Sequence, residues 1–192
     1  MPSTTPRAPP PTPRDPRRIE NRVQGDAVSF LETSEETGGE RTLIELEAAP
    51  GGGTTPHYHL TYSEVFRVRE GRLTVDIDGA QHELGPGDEA LAPAESLHRW
   101  RNLGSERCVA QVELRPGRAG FERALRVGYA LANEGRVLKN GTPRNPLYTA
   151  LLLEWSEIRL PGVYTALDRV LRLLAQVARR RGVDRRLARR YL

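Results

Sequence analysis

The sequence predicts a mainly β protein, a barrel or a sandwich, followed by a helical C-terminal extension. From about Ile19 to Pro116, short runs rich in β-branched and apolar residues are separated by glycine-containing turns. In one such run Leu73, Val75 and Ile77 alternate with polar residues, which is typical of a half-buried strand. After Pro116 the apolar residues recur at helical spacing instead.

These patterns divide the chain into a disordered tail over residues 1–18, a β domain over 19–116 and a helical extension over 117–192. The tail holds seven of the fifteen prolines. It therefore buries too little apolar surface to offset the entropy lost on ordering.

A first helix of the extension is predicted to end at Asn133-Glu134-Gly135, from apolar and small residues at helical spacing: Phe121, Ala124, Leu125, Gly128 and Ala132. Two more helices can be placed from the sequence. Asn145 followed by Pro146 predicts a helix start, with the asparagine as the cap, and Pro161-Gly162 is predicted to end that helix. The other helix is predicted from an apolar stripe opposite an arginine-rich face. Because such a stripe does not stay in water, it packs on its own chain or on a second copy. The first half of the stripe is expected to pack on its own chain, because Pro161-Gly162 turns the chain back toward the preceding helix, and a homodimer is a further expectation. The stripe residues are Val163, Leu167, Val170, Leu171, Leu174, Val177 and Ala178.

Composition limits the classes of protein. The chain has 192 residues, of which 38% are hydrophobic and 28% charged, as expected for a globular protein. The longest purely apolar run, residues 150–153, is far too short for a membrane span. The single cysteine excludes an internal disulfide, and the N-terminus lacks the apolar stretch of a secretory signal. A cytoplasmic location is the expectation.

The net charge of +4 is unevenly distributed. Residues 1–18 carry +3 and residues 164–192 carry +7, so the segment between them is acidic, at −6. No nucleic-acid motif accompanies the C-terminal arginines and few aromatic residues lie near them, so a solvated helix face is favoured over a nucleic-acid site.

Histidine is rare and clustered, with His57 and His59 only one residue apart. On a strand, residues i and i+2 share a face, so both imidazoles can point into one cavity. Glu64 follows after a short turn, and a hairpin-like return places its carboxylate beside them. Two imidazoles and one carboxylate form the facial arrangement used by non-haem iron and related metals. His98, which opens a predicted strand, is available as a fourth ligand.

Together with the glycine, proline and asparagine residues around them, these candidate ligands resemble the two sequence motifs of the cupin superfamily. The first motif, G-x5-H-x-H-x4-E-x6-G, is met in full, and the second, G-x5-P-x-G-x2-H-x3-N, is met except at Glu95, where the family has glycine. The matching residues are Gly51, His57, His59, Glu64, Gly71, Gly87, Pro93, His98 and Asn102.

The resemblance implies an antiparallel jelly-roll β-barrel, the double-stranded β-helix of RmlC-like cupins. It also implies one divalent transition metal ion, Fe, Mn, Zn, Ni or Cu, held by His57, His59, Glu64 and His98. Cupins include metal-dependent dioxygenases, decarboxylases and isomerases that act on small organic molecules, and also non-catalytic small-ligand binders and sensors. The intact ligand set favours an enzyme, with the binding protein as the alternative. No catalytic residue outside the ligand set can be named from the sequence.

Overall fold

The computed structural model describes residues 15–192, and it describes no side chains at residues 163–166. The predicted disordered tail lies outside the described residues up to residue 14. Residues 15–17 lead directly into the first strand, and the backbone N–H of Arg18 donates to the carbonyl of Asp15 at 3.0 Å.

Strands occupy the first part of the described chain. They are β1 (Arg18–Asn21), β2 (Asp26–Glu32), β3 (Thr42–Ala48), β4 (Tyr58–His59), β5 (Ser63–Glu70), β6 (Leu73–Ile77), β7 (Ala80–Leu84), β8 (Glu89–Ala92), β9 (His98–Arg101) and β10 (Cys108–Arg115). One further short strand, β11 (Ile158–Arg159), lies among the helices.

The strands form antiparallel sheets. A six-stranded sheet has the order β1-β2-β3-β10-β5-β8, a three-stranded sheet has the order β7-β6-β9, and β11 pairs with β4. Within the described residues these hydrogen-bonded sheets are open rather than closed into one ring. The structure therefore confirms a mainly antiparallel β protein with a helical C-terminal region, whereas the closed barrel stays a prediction.

The apolar residues that alternate along the predicted strands form the core. Leu73 and Val75 are fully buried and Ile77 is partly buried against the same cluster, as their spacing predicts. In β3, buried and half-buried residues alternate along the whole strand. The inner faces of the sheets thus share one apolar core, to which Phe121 and Tyr129 of the first helix also belong.

Four helices follow: α1 (Ala119–Asn133), α2 (Pro146–Trp155), α3 (Val163–Arg180) and α4 (Val183–Tyr191). Asn145 caps α2 as predicted, since its side chain accepts a hydrogen bond from the N–H of Leu147 at 2.9 Å. None of the helices in the described part of the chain combines the length and the apolar character needed to cross a membrane.

The end of α2 differs from the prediction. The helix stops at Trp155 instead of continuing to Pro161, and Ile158 and Arg159 turn back to pair with β4. Glu157 takes a left-handed backbone conformation with φ of 56° at the turn. The chain therefore returns from the helical region to the strand that carries His59.

Candidate metal centre

Three strand segments bring the predicted ligands together. His57 lies just before β4 and forms an isolated antiparallel bridge with His98, the first residue of β9. His59 is the second residue of β4, and Glu64 lies near the start of β5. The hairpin-like return expected between His59 and Glu64 is thus present.

The three imidazoles converge within a buried space. One ring nitrogen from each of His57, His59 and His98 lies within 4.8 Å of the others. Their ring centroids are 4.6–5.2 Å apart. All three residues and Glu64 are buried. A buried cluster of polar side chains is costly unless its members are hydrogen-bonded or bind an ion.

Backbone carbonyls fix two of the rings. Nδ1 of His57 donates to the carbonyl of Thr55 at 2.8 Å, and Nδ1 of His98 donates to the carbonyl of Ser96 at 3.0 Å. Because a carbonyl only accepts, each ring carries its proton on Nδ1 and keeps a lone pair on Nε2. Metal-binding histidines are oriented by this kind of second interaction.

Glu64 completes the cluster from the other side. One carboxylate oxygen lies 3.3 Å from Nε2 of His59, and the other lies 3.4 Å from Nε2 of His98. Neither Nε2 atom has a hydrogen-bond partner despite being buried, so these are close contacts without hydrogen-bond geometry. Two ligand atoms held at about 2.1 Å from one ion are themselves about 3.0–3.4 Å apart, so the spacing suits a shared cation.

At His57 and Glu64 the electrostatics favour the forms that bind a cation, whereas at His98 they favour the protonated ring, whose proton a metal would have to displace. Burial, together with the neighbouring His59 and His98, lowers the pKa of His57 to about 4. Burial acts to raise the pKa of Glu64, but His59 and His98 outweigh it and hold that pKa well below its usual range. Burial likewise opposes the charged form of His98, but Glu64 beside it raises the pKa. A neutral imidazole and an ionised carboxylate are the states that ligate metals.

A cavity of about 230 Å³ has His57 and Glu64 on its wall. Most of its remaining wall is apolar, with Phe66 and Trp100 among the larger side chains. Pockets of about 450 and 800 Å³ also occur, but none of the four predicted ligands lines them. The cluster of buried ligating groups makes the smaller cavity the candidate site.

The helical extension also lines this cavity. The sequence did not predict where the extension would pack. Phe121, Leu125 and Tyr129, at i, i+4 and i+8 of α1, lie on its wall, as do Ile158 and Leu160 around β11. The hydroxyl of Tyr62, a residue whose ring stacks on His59, donates to the carbonyl of Ser156 at 2.7 Å. The extension therefore covers part of the cavity instead of packing only on the outside.

Sequence reasoning missed the polar residues at the far side of the cavity, Asp26, Tyr129 and Gln24. No motif connects them, and Asp26 and Tyr129 are 103 residues apart. The one sequence feature that could have indicated this site is Asp26 itself, a charged residue at the start of an otherwise mainly apolar strand.

Glu95, where the motif departs from glycine, has a left-handed backbone with φ of 66°. Its N–H donates to the carbonyl of His59 at 2.6 Å. The turn geometry that glycine adopts readily is thus kept by a residue with a side chain, and the ligand at His98 stays in place.

Comparisons with known proteins agree with this geometry. A family model described as the cupin domain matches residues 44–117. "Polyketide synthase CurC" from Streptomyces cyaneus is 34% identical over 104 residues, which cover 53% of this chain and 68% of that protein. Quercetin 2,3-dioxygenase from Bacillus subtilis is 33% identical over 80 residues, which cover 41% of this chain but only 24% of the dioxygenase.

Among solved structures, an RmlC-like cupin from Shewanella frigidimarina aligns with a TM-score of 0.47 and 23% identity, over 54% of this chain and 86% of that chain. The segment matched by the family model, residues 44–117, carries the histidine cluster. The chain belongs to the cupin superfamily.

Proposed function

We propose that this chain is a metal-dependent cupin enzyme that acts on a small, mainly apolar organic molecule. One divalent transition metal ion would be held by His57, His59, Glu64 and His98. The observation that carries the proposal is the convergence of three buried imidazoles, two of which also contact the Glu64 carboxylate, with the Nδ1 protons of His57 and His98 held by backbone carbonyls.

A bound metal would supply Lewis-acid or redox chemistry, and positions not taken by the four protein ligands would be available to substrate oxygens. The residues of the chain do the remaining work. Thr55 and Ser96 fix the two histidine tautomers through their carbonyls. Apolar side chains along the cavity, including Phe66 and Trp100, exclude water and bind the substrate.

The cavity volume sets the size of the substrate. A cavity of about 150 Å³ holds benzene, so 230 Å³ accommodates a substituted ring or two fused rings. Quercetin 2,3-dioxygenase, one of the relatives, is by its name an oxygenase. An oxygenase reaction on a ring compound is therefore the first activity to test, ahead of the decarboxylase and isomerase types.

We also propose that the six-stranded and three-stranded sheets are the two walls of a jelly-roll barrel over residues 19–116. Supporting this, Val28 and Ile44 of the larger sheet and Trp100 of the smaller sheet line the same cavity. The extension over residues 117–192 would then complete the barrel interior through α1 and β11.

Metal analysis of the purified protein is the first test, followed by oxygen uptake with diketones, phenols and small acids. We expect about one transition metal ion per chain and oxygen consumption with at least one ring compound. His82→Ala is the matched control, because His82 is exposed and lies outside the cluster. Metal at unit stoichiometry with no turnover of any compound would favour a binding protein or sensor. Metal well below unit stoichiometry after reconstitution would contradict the metal site.

A further inference from the structure

A second polar site lies in the same cavity, built on Asp26. The Asp26 side chain is buried, and Oδ2 of its carboxylate accepts hydrogen bonds from the hydroxyl of Tyr129 and from Nε2 of Gln24, the latter at 3.1 Å. Its other oxygen, Oδ1, is buried and has no hydrogen-bond partner. Asp26, Tyr129 and Gln24 all line the cavity. An acceptor left unpaired inside a protein is costly, so it needs an explanation.

Strand register places Asp26 far from the metal cluster. Asp26 pairs with Ala48, which pairs with Cys108 of β10, whereas Glu64 pairs with Leu114 of the same strand. The two carboxylates thus belong to strands three positions apart in the sheet, at levels six residues apart along β10. They lie at opposite ends of the inner face.

Between these ends the wall is apolar. The level next to Asp26 carries Val28 and its partner Leu46, and the following level carries Ile44 and Phe66, both paired with Val112. All five of these side chains line the cavity. The cavity wall therefore has the Asp26 carboxylate at one end, two apolar levels in the middle and Glu64 of the metal cluster at the other end.

We propose that Asp26 is the binding site for a hydroxyl group of the cavity's ligand, with the free Oδ1 accepting its hydrogen bond. The ligand class is an elongated, mainly apolar ring compound, with an oxygen group that binds the metal at one end and a hydroxyl at the other. This inference rests on the proposed function for the metal end only. Tyr129 and Gln24 are positioning residues, since they occupy Oδ2 and leave Oδ1 for the ligand.

The protonation state suits this role. Burial raises the pKa of Asp26 to about 6, although the hydrogen bonds from Tyr129 and Gln24 act against burial. The carboxylate is therefore an ionised acceptor at pH 8. On its outer side, Asp26 borders a shallow groove that also contains Arg18, Glu20, Arg22, Glu47 and Arg107, so charges of both signs lie there.

The test compares two ligands that differ by one hydroxyl. Binding of 6-hydroxy-2-naphthoate and of 2-naphthoate to the zinc-loaded protein is measured by isothermal titration calorimetry at pH 8. We expect the hydroxylated compound to bind at least about tenfold more tightly, as is typical for one hydrogen bond to a charged acceptor. In Asp26→Asn the preference should fall below about threefold. Asp88→Asn, at an exposed aspartate outside the cavity, should keep the preference of the original chain.

Tyr129→Phe separates positioning from a purely structural role. The Tyr129 hydroxyl lowers the pKa of Asp26, so its removal should move the pH midpoint of the ligand preference upward. The preference should then be weak near pH 6.5 and return by pH 9. A merely structural tyrosine would change the stability of the protein without moving this midpoint.

Three results would overturn the inference: equal affinity for the two compounds, retention of the preference in Asp26→Asn, or binding of neither compound at millimolar concentration. Repeating the titrations without zinc separates this inference from the proposed function. If only the metal assignment is wrong, zinc has no effect and the hydroxyl preference persists. If only the present inference is wrong, zinc strengthens binding of both compounds to the same extent.

Discussion

His57 and His98 exchange both of their backbone hydrogen bonds. The N–H of His57 donates to the carbonyl of His98 at 2.9 Å, and the N–H of His98 donates back at 2.8 Å. The two ring centroids lie 4.6 Å apart as a result. Since each Nδ1 is also held by a carbonyl two residues earlier in the chain, the backbone fixes both rings before any ligand binds.

Replacing His57 and His59 together by alanine should abolish metal binding and leave the β domain folded. Two of four ligands are lost, and one carboxylate with one imidazole binds a divalent ion weakly. Metal content measured by plasma emission should fall from about one ion per chain to below about 0.1. Circular dichroism should retain the strand signal. Unchanged metal content in the double variant, with His82→Ala as the reference, would exclude these histidines as ligands.

Glu64→Gln isolates the charge of the carboxylate. Glutamine keeps the shape of the side chain and one oxygen acceptor, but it removes the negative charge that lies 3.3 and 3.4 Å from two imidazoles. We expect zinc affinity to fall by at least about tenfold, because a hard carboxylate is replaced by a neutral amide. Competition with a fluorescent chelator measures the change. An affinity equal to that of the original chain would remove Glu64 from the ligand set.

The ligand cluster is predictable from sequence because strand geometry is local. His57 and His59 share a face by spacing alone, and Glu64 follows within one turn. His98 is distant in sequence, and only the resemblance to a family motif connects it to the others. The structure brings all four together, and their role as ligands stays a prediction.

The polar contact at the far end of the cavity could not be predicted from the sequence, and the reason is physical. Asp26 and Tyr129 meet only after α1 docks on the sheet, so their contact depends on tertiary packing. Similarly, β11 has two residues and follows directly on a helical pattern, so periodicity cannot detect it. It forms because Ile158 and Arg159 find hydrogen-bond partners on β4.

Glu95→Gly should stabilise the protein. A non-glycine residue in the left-handed region costs about 1–2 kcal/mol, and glycine regains part of this while losing more entropy on folding. We expect the free energy of unfolding to rise by about 0.5–1 kcal/mol, measured by urea denaturation. Glu95→Ala is the matched control, since it removes the carboxylate but keeps the strain. An equal gain in both variants would assign the effect to charge instead of backbone conformation.

The apolar stripe of α3 is only partly buried. Leu171 and Leu174 pack against the cluster formed with α2 and α4, and Ala178 is fully buried there. Toward the start of the helix, Leu167 and Val170 are 43% and 50% exposed. The expectation that this first half packs on the same chain is therefore not met at these two residues, and the first stripe residue, Val163, has no described side chain.

Replacing both Leu171 and Leu174 by glutamate should destabilise the helical extension, because two charges enter a partly buried apolar contact. We expect a loss of about 3 kcal/mol and a clearly lower melting temperature. The matched variant replaces Val170 and Leu173 by glutamate, at positions that are 50% and 58% exposed. It should melt normally if the chain is monomeric. A shift of this second variant from dimer to monomer in sedimentation would identify the exposed face as a homodimer contact. Normal melting of the first variant would contradict the packing.

Asp26→Asn should make the protein more stable at neutral pH, and the gain should depend on pH. Burial raises the pKa of Asp26 to about 6 from an ordinary value of 3.8. A carboxyl with a raised pKa favours the folded state below the unfolded pKa, and this contribution is lost as the pH rises through the folded pKa. Below about pH 4 the neutral carboxyl and the amide should be nearly equivalent. At pH 7.5 the original chain keeps an ionised carboxylate in a buried position, whereas the variant does not.

Two pKa units correspond to about 3 kcal/mol, and Asp26 is only 7% exposed, so solvent screening reduces this little. We therefore expect Asp26→Asn to gain up to about 3 kcal/mol relative to the original chain between pH 4 and pH 7.5. Urea denaturation of the metal-free protein at several pH values measures this difference, with the exposed Asp88→Asn variant as the baseline. A difference that stays constant across this range would mean that Asp26 does not titrate between 3.8 and 6. A loss of hydroxyl preference together with a gain of stability is what distinguishes a ligand-binding carboxylate from a structural one, since natural binding sites retain polar groups that destabilise the fold.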